Sequence, residues 1–112
     1  MRFEENRVGD VLVAKVLDGR IAADGAPHFK AHLGDYIAKG NRAIVLDVAA
    51  VTFIDSSGLG AMIACLKAMG KDGDIVISGA RAAVVSVFRL TRMDKVFRLY
   101  ENNEAAIAAL AY

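Results

Sequence analysis

The segment RAIVLDVAAVTFIDSSGLG, residues 42–60, decides the fold. From Arg42 to Ile54 it is nearly continuous apolar sequence with Asp47 the one charge inside it, the pattern of a strand buried on both faces. Its second half is expected to loop before Asp55. There the character changes to an acid, two adjacent serines and two glycines spaced G-x-G. From Ser57 to Met69, residues Leu59, Met62, Ile63 and Leu66 then recur at helical spacing until Gly70 and Gly73 end the pattern. A buried strand that feeds a helix through a polar, glycine-bearing turn is one unit of an α/β layer.

The flanking sequence extends that layer. MRFEENRVG and DVLVAKVLDG read as two strands around a Gly9-Asp10 turn, an N-terminal antiparallel hairpin. From Asp24, a candidate cap, Pro27 suits a first helical turn, and Phe29, Leu33, Tyr36 and Ile37 mark an amphipathic helix up to Gly40. Downstream, GDIVISG is a short strand, AAVVSVFRLTRM a third helix, KVFRLY another strand and NNEAAIAALA a last short helix. The order predicts a mixed sheet of about five strands, largely parallel after the hairpin, with about four helices in one domain spanning residues 1–112.

Composition narrows the function classes. With 112 residues, 55% of them hydrophobic and 24% charged, the chain can bury a core and is expected to be a folded, soluble domain. A net charge of +1 with interspersed signs gives no footprint for nucleic acid or an anionic membrane, so neither is expected as a partner. The apolar stretches are broken well short of the ~20 residues of a bilayer span. The single cysteine, Cys65, excludes an internal disulfide, and no basic segment with an apolar run opens the chain, so the expected location is cytoplasmic.

The chemistry-bearing residues do not assemble into a catalytic motif. A hydrolase elbow reads G-x-S-x-G, whereas Ile54 and Asp55 stand where the first glycine is needed. The histidines, His28 and His32, are four apart on the first helix without a cysteine cluster, an HExxH glutamate or an obvious third ligand. They read as surface or half-buried side chains, and no metal is expected. Cys65 lies with Gly58, Ala61 and Ala68 on a small-residue side of its helix, which reads as packing. Gly58 and Gly60 begin like a dinucleotide loop, but its third glycine is replaced by Ile63, so no cofactor is expected. At a strand-to-helix turn these glycines permit a tight backbone and close packing.

Ser56 or Ser57 read alone is an ordinary helix cap. A hydroxyl at a helix N-terminus is also a place where phosphate is tolerated, because the free N–H groups and the helix dipole favour its charge of about −1.5 to −2.

On these residues the chain resembles a STAS domain and is identified as a member of the anti-sigma factor antagonist family. The resemblance is carried by DSSGLG at 55–60 between a hydrophobic strand and a helix, by GDIVISG at 73–79, and by LTRMDKVF at 90–97. It runs over nearly the whole chain. It implies a domain without catalytic activity whose first DSSG serine, Ser56, is phosphorylated by an anti-sigma factor with serine kinase activity. The unphosphorylated form binds that partner, and a PP2C-type phosphatase resets the modified one. Asp55, Ser56, Ser57, Gly58, Leu59, Gly60 and Asp24 are the implied partner-binding residues, together with the small-residue helix face and the first helix. One departure stands out. Where the family commonly has G-E-L-D, this chain reads GRIA at Gly19–Ala22, and Asp24 stands two residues on, either in place of that acid or as a helix cap, the latter favoured. The alternative function is a STAS adaptor constitutively bound to a transporter or signalling complex, with the DSSG loop serving geometry only.

Overall fold

The computed structural model describes residues 1–111. Strands β1 (Phe3–Val8) and β2 (Val11–Val16) form the expected antiparallel hairpin, with Val8 opposite Val11. Gly9 between them takes φ +60°, a turn conformation that glycine adopts without steric cost. β2 pairs in parallel with β4 (Ala43–Asp47), β4 with β6 (Asp74–Ser78), and β6 with β7 (Leu99–Tyr100). The sheet order is β1-β2-β4-β6-β7, the five-stranded mixed sheet expected from the sequence.

The long apolar run is not one strand. At the end of β4 the Asp47 side chain accepts a hydrogen bond from the Ala49 N–H at 3.0 Å, and the Val51 N–H bonds back to the Val48 carbonyl. These local bonds turn the chain out of the sheet. It resumes as β5 (Phe53–Ile54), which pairs in parallel with β3 (Arg20–Ile21) in a separate two-stranded sheet. That small sheet carries the candidate site.

Among the described residues are four α-helices: α1 (Ala26–Ala38), α2 (Ser56–Met69), α3 (Ala82–Leu90) and α4 (Asn103–Leu110). The first three cover one face of the sheet. Phe29, Leu33, Tyr36 and Ile37 of α1, the four apolar positions marked by periodicity, are all buried there. In α2, Leu59 and Met62 are buried, but Ile63 and Leu66 are only partly so; Ala61, Cys65 and Met69 complete its inward side. On the opposite face Val13, Val45 and Val76 pack beneath Ala106 of α4. There Asn103 accepts the Ser78 hydroxyl at 2.6 Å and donates to the buried Asp47 carboxylate at 3.0 Å, so α4 is docked by a polar chain as well as by apolar contact.

Three boundaries differ from expectation. The third helix stops at Leu90, where the Thr91 hydroxyl donates to the Val87 carbonyl at 2.6 Å and Arg92 takes a left-handed φ of +63°. Met93–Lys95 form a 3-10 turn, which shortens the strand expected over KVFRLY to Leu99–Tyr100. Asp24 does not cap α1: the N-cap is Gly25, without a side-chain bond, and the Ala22 carbonyl receives the N–H groups of Gly25 and Ala26.

Candidate functional site

Asp55 organises the site. Its backbone is extended, and its N–H donates to the Ile21 carbonyl at 3.3 Å, continuing the β3–β5 pairing by one step. One carboxylate oxygen accepts the Gly58 N–H at 2.9 Å, which makes Asp55 the N-cap of α2. The other accepts the Ala23 N–H at 3.1 Å and ties the loop before α1 to the start of α2. The Gly58 N–H above all holds this carboxyl below its ordinary value; burial, second in size, opposes it, and the N–H groups of Ala23 and Ser57 and the charge of Arg20 add to the lowering.

The cap expected from a serine is therefore supplied by the acid in front of it. Ser56 and Ser57 occupy the first two positions of α2, both exposed, and neither hydroxyl makes a hydrogen bond to another described residue. Gly58 is required by contact: a β-carbon there would run into the Ile21 carbonyl, so the first turn of α2 lies directly on β3. Leu59 points into the core and supports the loop from beneath. Gly60 is exposed, and a β-carbon on it would meet nothing within 4 Å.

Beside the serines, α1 and α2 leave a shallow groove of about 410 Å³. Ala23, Pro27 and Lys30 line one side, and Ser57, Gly60 and Ala64 the other. Asp24 is not brought into it. Together with Asp18, Arg20 and His28 it lines a neighbouring cleft of about 560 Å³. Ala22 is buried.

Two of the remaining chemistry-bearing side chains, His32 and Cys65, have packing roles. His32 lies against the Phe3 ring at 4.3 Å between centroids, while His28 is exposed. Cys65 is buried with its sulfur 3.8 Å from the Lys30 carbonyl, and burial pushes its thiol up, away from a reactive thiolate, with Lys30 opposing. No group of three His, Cys, Asp or Glu side chains suited to a metal occurs among the described residues, and no helix among them is long and apolar enough to cross a membrane.

DSSGLG thus lies between a hydrophobic strand and a helix, as the resemblance to the STAS domain implies. The family model of the STAS domain matches residues 6–106. The chain belongs to the STAS domain family. This STAS domain is 27% identical over 110 residues to BtrV of Bordetella bronchiseptica, whose name describes it as a candidate anti-sigma factor antagonist; the match covers 97% of this chain and 94% of BtrV. The crystal structure of an anti-sigma factor antagonist from Mycobacterium paratuberculosis superposes with a TM-score of 0.90 at 28% identity, covering 99% of this chain and 94% of that one. The phosphorylated form of the Bacillus cell fate determinant SpoIIAA shares the fold, with a TM-score of 0.70 at 19% identity over 96% of this chain and 98% of its own.

The sequence did not point to one feature of this STAS domain. β3 and β5 set Arg20 opposite Phe53, with the guanidinium 5.1 Å from the ring centroid and Phe53 47% exposed. Two-residue strands carry no readable periodicity.

Proposed function

We propose that this STAS domain is an anti-sigma factor antagonist, a non-catalytic switch that binds an anti-sigma factor while Ser56 is unmodified and releases it once Ser56 is phosphorylated. One observation carries the reading. Asp55 performs the capping, which leaves the Ser56 hydroxyl exposed and without a partner among the described residues at the first position of α2. A serine needed for the cap would be occupied. The names of the relatives support the class of partner, and the phosphorylated SpoIIAA structure supports a modified state within this fold. Among the described residues no histidine hydrogen-bonds to either serine, which favours a binding role over hydrolysis.

The physics suits a switch that leaves the domain folded. A phosphate at Ser56 meets the positive end of the α2 dipole and is tolerated locally, while at the partner surface it introduces desolvation cost and like-charge repulsion. A penalty of ~3 to 4 kcal/mol weakens binding a few hundredfold. A kinase-type anti-sigma factor is then the modifying enzyme and a PP2C-type phosphatase resets the serine.

The test is phosphorylation of the purified domain by the source organism's kinase-type anti-sigma factors with ATP, the modified residue being located by mass spectrometry. Modification at Ser56, abolished in Ser56→Ala, is the expected result, together with weakened binding by Ser56→Asp at unchanged circular dichroism. Equal binding of wild type and Ser56→Asp to one transporter or scaffold subunit would instead make the chain a constitutive adaptor.

A further inference from the structure

The two-stranded β3–β5 sheet has an inner and an outer side. Ile21 and Ile54 pair on the inner side and are buried; Arg20 and Phe53 pair on the outer side and are exposed. The guanidinium covers one face of the ring and the remainder faces solvent. Ile54 leads directly into Asp55 and Ser56, so the pair borders the surface that carries the serine. Arginine and large aromatic side chains are the types that anchor protein interfaces, and stacking on the ring limits the freedom the guanidinium loses on binding.

The charges define what can dock. Arg20 forms no ion pair among the described residues. Asp18 and Asp24 share its cleft without closing on it, and both oxygens of Asp55, which its charge does reach, are engaged by backbone N–H groups. One cation among three acids repels an extended polyanion such as a membrane surface or nucleic acid. It can still receive a single carboxylate.

We propose that the Arg20–Phe53 pair is the specificity edge of the Ser56 surface, accepting a protein partner that presents one carboxylate to Arg20 beside an apolar socket for Phe53. The inference rests on the reading of that surface as the anti-sigma factor docking site and adds the chemistry the partner must display. Phosphate on Ser56 brings anionic charge to the same edge and competes for Arg20 with the partner's carboxylate.

The test titrates the purified kinase-type anti-sigma factors of the source organism by calorimetry against wild type, Ser56→Asp, Arg20→Glu, Arg20→Lys, Phe53→Ala and, as a charge control at the far end of α2, Lys71→Glu. Circular dichroism is recorded for each, and Arg20→Lys serves if Phe53→Ala loses its fold. One factor is expected to bind wild type and to fail with Ser56→Asp. Arg20→Glu should weaken that binding about 100-fold or more and Phe53→Ala about 30-fold, as expected of interface anchors. Arg20→Lys, which keeps the charge without the planar stack, should cost about tenfold, and Lys71→Glu should have no effect. Reversing one acidic residue of the factor to arginine should restore binding to Arg20→Glu. Binding of Arg20→Glu and Phe53→Ala within about twofold of wild type, a ratio worth under 1 kcal/mol, with Ser56→Asp still defective, overturns this inference and leaves the function intact. A loss in Arg20→Glu that no reversal restores refutes the carboxylate contact. If no factor binds wild type, the functional reading fails and the specificity edge with it.

Discussion

The carbonyl oxygen of Ile21 occupies the space that a β-carbon on Gly58 would need. The two glycines of DSSGLG are therefore not equivalent. Gly58→Ala must displace the first turn of α2 from β3, and is expected to lower stability by about 1–3 kcal/mol or more, because backbone cannot yield as a flexible side chain does. Gly60→Ala adds a methyl to open space within a helix and is expected to be neutral or stabilising by up to about 1 kcal/mol. Thermal melts should show a clear fall for Gly58→Ala and no fall for Gly60→Ala.

Asp55 should make the stability of this loop depend on acid. Its carboxyl titrates below the ordinary value in the folded chain, so its contribution is fully present above the unfolded value of about 3.9 and is lost as pH falls through the lower folded value. Asp55→Asn keeps an acceptor for the Gly58 N–H and sets an amide against that of Ala23. Denaturant midpoints of wild type and Asp55→Asn should differ most near neutrality and converge in acid.

Tyr36 gives a second pH dependence, of opposite sense. Its hydroxyl is buried without a well-formed hydrogen bond, and burial first, then the charge of the Glu5 carboxylate and its weak acceptance of the hydroxyl, push it up to about 12. The neutral form is favoured by folding, so stability is complete below the unfolded value of about 10 and declines as pH rises towards the folded one. Ultraviolet titration should show one late-ionising tyrosine that disappears in Tyr36→Phe. That variant is expected to melt close to the wild-type temperature, since the hydroxyl it removes is buried with only a weak acceptor in Glu5.

Asn103 links two buried polar side chains. In Asn103→Ala the Ser78 hydroxyl and the Asp47 carboxylate each lose a partner beneath α4. A loss of about 1–3 kcal/mol is expected from groups left unsatisfied. Hydrogen exchange should rise in α4 and at the ends of β4 and β6 before it rises in α1.

What the sequence made legible was what repeats over many residues. The stripe of α1, the hairpin around Gly9 and the buried strands β4 and β6 follow from periodicity and apolar content. The loop expected in the second half of Arg42–Ile54 is present, but its start at Asp47, set by the bond from Ala49, and the return to a strand at Phe53 were hidden by the continuing apolar composition. The sequence points to a cap at Ser56 or Ser57; the cap belongs instead to Asp55, which the bonds to Ile21 and Ala23 across the loop hold in place. The end of α3 was obscured because Arg92, and no glycine, takes the left-handed position. Within the site, the DSSG position of Ser56 was readable, but the Arg20–Phe53 pair depends on a register of two residues that only the assembled fold creates.

The sheet ends in two poor templates for self-association. β1, at one edge, carries Glu4, Glu5 and Arg7, and β7, at the other, is only two residues long. A charged edge and a short one both discourage the strand-by-strand addition that starts fibrils. Such a domain can accumulate at high concentration without recruiting copies of itself through its backbone.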